Sequence, residues 1–251
     1  MDRRQALGFL AAAWGAVALP RVVSAQGEAT LRPIPSSGER LPVVGLGTWI
    51  TFDVTDPAAR TARGAILRAF FEAGGRLVDS SPMYGASEET IGAAMPSNAK
   101  ALFSATKVWT VGALAGRRQM ESSRMLWKVA RFDLVQVHNL LDWETHLATL
   151  KQMKAEGRVR YVGVTTSHGL RHDLLERVLG TERLDFVQLT YNLRDPQAER
   201  ILLPLAADRG AAVIVNRPFD GGALFGARTG SSRRSGWGAG SARGSRRGRA
   251  S

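Results

Sequence analysis

Four side chains in this sequence have the types and the spacing for moving a proton. In RLVDSSPMYGASEETIG, Asp79 and Tyr84 lie five residues apart, SATKV carries Lys107, and LVQVHN carries His138. A tyrosine with a pKa near 10 is a poor acid at neutral pH, but a lysine ammonium beside it stabilises the phenolate and eases the loss of the proton. A carboxylate can pair with and orient that lysine. A histidine can orient or polarise a carbonyl, or help relay the proton. Each residue alone has an ordinary structural reading: a strand-end Asp or Lys caps a loop or stays solvated, and a histidine in VQVHN is a satisfied core residue. Their joint placement depends on the elements that carry them.

Those elements alternate. Apolar, β-branched runs at 42–47, 76–81, 101–108, 133–139, 159–166, 185–191 and 211–217 read as strands buried on both faces. Helical segments near 57–74, 86–94, 116–130, 143–156, 170–180 and 196–209 separate them. In the first, Ile66, Leu67, Phe70 and Phe71 recur at helical spacing and Gly74-Gly75 ends it. Strand and helix repeated in this way predict a parallel sheet with helices outside it. The sheet can stay open or close into a barrel. Asp79, Lys107, His138, Thr165-Thr166 and the run 188–192 all stand at the C-terminal ends of successive strands. In a barrel these ends converge on one mouth, whereas an open sheet strings them along an edge. The expected fold is therefore α/β, a (β/α)8 TIM-type barrel, with only seven strands countable.

GLGTW, VDSSPMYG-SEETIG, ATKV, the strand ending VHN and the later NRPF-GGALF resemble the aldo-keto reductase family from about residue 31 to residue 225. That resemblance implies a barrel that transfers hydride from a nicotinamide, NADPH or alternatively NADH, to an aldehyde or ketone. By position it implies Tyr84 as proton donor, Lys107 as its pKa-lowering neighbour, Asp79 as the lysine's partner and His138 as the orienting residue. It also implies Thr165, Thr166 and Gln188 near the carboxamide, Tyr191 stacked on the nicotinamide ring, and Asn216 and Arg217 by the pyrophosphate. Threonines stand where many relatives have Ser-Asn. Trp49 and Trp109 follow the first and third strands and would line the substrate pocket. Gly45-Leu46-Gly47 is no dinucleotide fingerprint, because no helix opens from a G-x-G-x-x-G there. His168 and His172 are four apart, but with no third ligand they read as a solvated helix start and no metal is expected.

The rest of the chain bounds this reading. Its 251 residues are 44% hydrophobic and 22% charged, a globular composition, and the absence of cysteine excludes disulfides and thiolate chemistry. The net charge of +12 sits largely at the ends. Residues 226–251 hold seven arginines and no acid, and residues 1–26 hold three arginines against one aspartate, leaving 24 basic against 21 acidic residues between them. A near-neutral middle calls for no nucleic-acid partner, which disfavours an RNA-binding reading. MDRRQ, the apolar stretch 6–19 and VSAQ follow the order of an export signal over residues 1–25. Arg3-Arg4 resembles a twin-arginine signal, implying the twin-arginine machinery as partner, a periplasmic or secreted destination and no membrane span after cleavage. Residues 226–251 are almost entirely Gly, Ser, Arg and Ala, with no apolar period, and are expected to be a disordered tail. In the family the last strand and helix supply the segment that clamps the adenosine 2′-phosphate, and nothing after Phe225 matches it. The tail is therefore read as an ending replaced by a reading-frame shift, which would impair the cofactor clamp. A non-catalytic binding relative is the alternative function.

Overall fold

The computed structural model describes residues 29–226, so the export-signal reading and all but the first residue of the tail lie outside the described residues. The chain enters through a hairpin of β1 (Leu31–Pro33) and β2 (Arg40–Pro42), paired antiparallel with Leu31 opposite Pro42. There follow β3 (Leu46–Gly47), α1 (Pro57–Glu72), β4 (Leu77–Asp79), α2 (Ser87–Ala94), β5 (Phe103–Val108), α3 (Ala113–Trp127) and β6 (Phe132–His138). The second half runs α4 (Trp143–Ala155), β7 (Val159–Thr165), α5 (His172–Thr181), β8 (Phe186–Thr190), α6 (Leu202–Asp208), β9 (Ala212–Asn216) and α7 (Ala223–Gly226). Strands β3 to β9 form one parallel sheet in chain order.

The sheet is curled into an incomplete (β/α)8 barrel. Adjacent strands lie about 4.8 Å apart, so β5 and β8 would stand roughly 14 Å apart in a flat sheet. Instead the rings of Phe103 on β5 and Phe186 on β8 are 5.9 Å apart, centroid to centroid. Alternation along the strands divides two cores. Val78, Val108, Val135, Val137, Val162, Val164, Val187 and Leu189 pack outward against the helices. Leu77, Phe103, Ala105, Leu134, Tyr161 and Phe186 fill the lower barrel. Among the described residues no eighth parallel strand follows β9, and Val213 and Val215 on its outer face are more than a third exposed.

The expected first strand at 42–47 is two separate pieces. Its start closes the hairpin and its end, Leu46–Gly47, pairs with β4, while Val43 and Val44 between them are exposed. The hairpin is the floor of the barrel. Ile34 and Leu41 are buried beneath the aromatic layer, and Gly38 takes the turn at φ +75°. Glu39 accepts from Tyr161 Oη (2.8 Å) and Arg76 (3.1 Å), and also pairs with Arg160. Burial works to raise the Glu39 carboxyl, but the donors from Tyr161, Arg160 and Arg76 bring it below its ordinary value. The helix expected over 196–209 is likewise split into a turn at Gln197–Glu199 and α6, where Pro204, with no N–H to donate, fits only the first turn.

Candidate active site

Above the aromatic layer the inward positions turn polar. Asp79 follows Leu77 on β4, Lys107 follows Ala105 on β5, Gln136 and His138 follow Leu134 on β6, and Gln188 follows Phe186 on β8. Period-two alternation puts each on the barrel's inner face at its C-terminal end. Lys107 Nζ donates to Asp79 Oδ2 at 2.7 Å and to the Ser80 carbonyl at 2.8 Å. Gln188 Nε2 donates to the same Oδ2 at 3.1 Å and Gln136 Nε2 to Oδ1 at 3.2 Å, so both carboxylate oxygens are held. The Thr48 hydroxyl and N–H both reach the Asp79 carbonyl, at 3.0 and 3.2 Å. Burial acts to lower the Lys107 pKa, but Asp79 and Tyr84 outweigh it and the net shift is upward, so the ammonium stays charged.

Tyr84 sits over this pair, with Lys107 Nζ 5.2 Å from its ring centroid. Its N–H donates to the Ser81 carbonyl at 3.0 Å, closing the turn that carries it. Gly85 follows at φ +57°, where a Cβ would meet the Asp53 carboxylate at 2.2 Å, and that carboxylate accepts from the Ala86 N–H at 2.8 Å. Only glycine fits this close approach. Burial pushes the Tyr84 phenol above its ordinary pKa, and Asp79 adds to the rise, while Lys107 acts in the opposite direction. The lysine's pull expected from the sequence is present, but burial exceeds it and the hydroxyl remains protonated. His138 meets the Tyr84 ring edge-on at 5.7 Å, and its Nδ1 lies 2.8 Å from Ser81 Oγ. Burial, helped by the Lys107 charge, lowers its pKa to about 3, so the imidazole is neutral at any working pH.

The remaining predicted residues divide into two groups. Thr165, Thr166, Gln188 and Asn216 gather on the mouth between β7 and β9. Thr165 Oγ1 donates to the Thr166 carbonyl at 3.3 Å, and Asn216 Nδ2 donates to that carbonyl at 2.8 Å. Thr166 Oγ1 is buried with no partner among the described residues. Tyr191, Arg217, Trp49 and Trp109 stand farther out. The Tyr191 hydroxyl donates to Glu199 at 2.5 Å, and Arg217, at φ 54°, reaches His168 Nε2 at 3.0 Å and Asp220 at 3.1 Å. Trp49 is 47% exposed with its edge on His168, and Trp109 is 41% exposed. His168 lies in the turn before α5 and His172 begins that helix, so the two are no helical pair. Among the described residues no cluster of three potential ligands is placed to hold a metal, and no helix is long and apolar enough to cross a membrane.

Sequence reasoning passed over Gln136, Ser81, Thr48 and Glu88. Gln136 was findable by alternation, since it stands two before His138 on the same strand face. Glu88 is buried on the outer side of β5, accepting from Thr106 (2.5 Å), Ser123 (2.6 Å) and Trp127 Nε1 (3.1 Å). It joins α2, which begins three residues after Tyr84, to the residue preceding Lys107. Burial raises its pKa despite those three donors.

The sequence model of the Aldo/keto reductase family matches residues 43–237. No curated protein matches the chain. Among solved structures, a thermostable aldo-keto reductase crystallised with the inhibitor epalrestat is 24% identical with a TM-score of 0.67, covering 77% of this chain and 74% of its own. An aldo-keto reductase from Klebsiella pneumoniae in complex with NADPH is 24% identical with a TM-score of 0.65, covering 73% of this chain, which spans 66% of that one. The holo form of an aldo-keto reductase from Bacillus halodurans is 21% identical with a TM-score of 0.69, over 78% and 68% of the two chains. At these identities the likeness bears on the fold.

Proposed function

The chain belongs to the aldo/keto reductase family, and from that premise we propose that it reduces an aldehyde or ketone with hydride from NADPH, with Tyr84 as the proton donor. The observation that carries this reading is the buried Lys107–Asp79 pair, 2.7 Å apart, beneath the ring of a protonated Tyr84. When bound, the nicotinamide supplies a hydride to the carbonyl carbon. Tyr84 gives its hydroxyl proton to the carbonyl oxygen as that oxygen gains negative charge, and an alcohol results. The phenolate left behind is stabilised by the Lys107 ammonium, whose position is fixed by Asp79 and the Ser80 carbonyl. Neutral His138, in edge contact with the Tyr84 ring, orients the carbonyl.

The mouth between β7 and β9 fits a carboxamide. A buried hydroxyl without a partner is costly unless something occupies it, and Thr166 Oγ1 is such a group beside Asn216. Thr165 and Thr166 would hold the nicotinamide end, with Gln188 beside them bonded to Asp79, and Asn216 and Arg217 would stand by the phosphates. NADPH is the favoured cofactor because a relative of the same fold was solved with it.

A non-catalytic relative is the competing reading. A scaffold gains little from a lysine ammonium with a side chain only 1% exposed, since taking the ion out of water costs several kcal/mol before its partner offsets it. The test is a fluorescence titration with NADPH together with a carbonyl-reduction assay on the wild type and Tyr84→Phe. Positioned proton transfer contributes about 10²–10⁴-fold, so Tyr84→Phe should lose turnover on that order while NADPH affinity stays within about twofold. Turnover retained in Tyr84→Phe would remove the tyrosine from the role of acid.

A further inference from the structure

We infer that Ser81 fixes His138 in the tautomer that carries its proton on Nε2, and so serves as a positioning residue for the carbonyl reduction proposed above, on which its catalytic meaning rests. Ser81 Oγ and His138 Nδ1 are 2.8 Å apart and both side chains are buried. That distance alone is compatible with either direction of donation. The other contacts of Ser81 Oγ decide between them. The Met83 N–H donates to Ser81 Oγ at 3.4 Å, which uses an acceptor site on the hydroxyl. Among the described residues His138 Nδ1 is the only acceptor within reach of the hydroxyl proton. Were Nδ1 to carry the ring proton and donate, the Ser81 proton would be buried and unpaired, an arrangement that native structures avoid.

The charge state of the ring sharpens the choice. A neutral imidazole holds one proton, shared between two nitrogens, and the hydrogen bond made by one nitrogen sets the state of the other. His138 is neutral because it is buried near the Lys107 ammonium. With Ser81 donating to Nδ1, the proton is on Nε2, and the ring is a hydrogen-bond donor. A donor is what a carbonyl oxygen requires; the opposite tautomer would turn a lone pair toward it. Ser81 also closes the turn carrying Tyr84 through its own carbonyl, 3.0 Å from the Tyr84 N–H. One residue thereby ties the proton donor's turn to the orienting ring, and the Tyr84 and His138 ring planes meet at 86°.

The test is long-range ¹H–¹⁵N NMR of the imidazoles in the full chain, with the His138 signals assigned from a His138→Asn variant. The wild type should show His138 as a single neutral tautomer protonated on Nε2. Ser81→Ala should show a mixture of tautomers, and its kcat should fall by about 3- to 10-fold, the factor that one hydrogen bond of ordinary net strength supplies. KM for NADPH should stay within about twofold, and Ser81→Thr, which retains a hydroxyl, should restore both the single tautomer and kcat. A wild-type His138 protonated on Nδ1 overturns the inference whatever the variants do, including a Ser81→Ala chain that fails to fold. So does a Ser81→Ala protein that keeps a single Nε2–H tautomer and full kcat. The NMR result needs no turnover, so an active Tyr84→Phe enzyme would refute the reductase mechanism without touching the tautomer assignment.

Discussion

Replacing Lys107 with methionine keeps most of the side chain's volume and removes its charge. The side chain of Lys107 is 1% exposed and that of Asp79 10%, so water cannot take over the ammonium's role. Asp79 would keep the amide donors of Gln136 and Gln188, at 3.2 and 3.1 Å, but would become an uncompensated carboxylate, and the Ser80 carbonyl would lose its donor. Breaking a buried pair by removing one partner costs about 3–5 kcal/mol. At roughly 2–4 °C per kcal/mol for a chain of this size, Tm should fall by about 6–20 °C. Asp79→Asn in the same chain removes the stranded charge, and the double variant should regain at least half of the loss. Urea denaturation at pH 7 followed by circular dichroism, on the wild type, both single variants and the double, gives the coupling energy. The Lys107 pKa is raised in the fold, so the pair's contribution is fully present below the unfolded lysine value and is lost only as pH rises through the folded one. A Lys107→Met protein within about 1 kcal/mol of wild type, or a double variant no more stable than the single, would show that the ammonium does not compensate the carboxylate, against the usual cost of a broken buried pair.

Glu88 acts in the same direction, in the lower pH window of a carboxyl group. Its folded pKa is raised by burial, so the folded state holds the proton more tightly than the unfolded chain, and stability should fall as pH rises from the unfolded value through the folded one. Glu88→Gln should flatten that decline in melting curves taken from pH 4 to pH 8, and an unchanged slope would assign the pH dependence to other groups. At the other end of the chain, Arg3 and Arg4 changed together to lysine should leave precursor in the cytoplasm by cell fractionation. Mature protein still appearing beyond the inner membrane would sink the twin-arginine proposal.

Strands β4 to β8 were legible because each is a short apolar run buried on both faces, and β9 because it is equally apolar although its outer face is part exposed; the structure moves the ends of all six by no more than two residues. The hairpin was not legible. LRPIPSSGERLP has prolines at 33, 35 and 42 and no alternation to count, and its fixed place comes from Tyr161, Arg160 and Arg76, far away in sequence. The same limit applies at the site. Asp79, Tyr84, Lys107 and His138 could be found from their types and strand-end positions, and the structure brings them into one cluster. Gln136 and Ser81 are common polar residues whose roles exist only through a partner: Asp79 on a strand two positions away in the sheet, and His138 57 residues on. Residue type signals chemistry when the group itself reacts, and is silent when the group only holds another in place.

The floor built from the hairpin gives the barrel a direction. Ile34 and Leu41 lie under Phe103 and Tyr161, which stack on each other, and Phe186, which meets Tyr161 edge-on, and Glu39 with its three donors locks the base from outside. Among the described residues the side-chain hydrogen bonds of Asp79 run to Lys107, Gln136 and Gln188, and none crosses the apolar layer to that base. If Tyr84 gives up its proton as proposed, the polar mouth is the face from which it would recover it. On the proposed mechanism, substrate entry, alcohol departure and recharging of the tyrosine would all use that mouth, and a tightly held product would delay reprotonation as well as the next binding event.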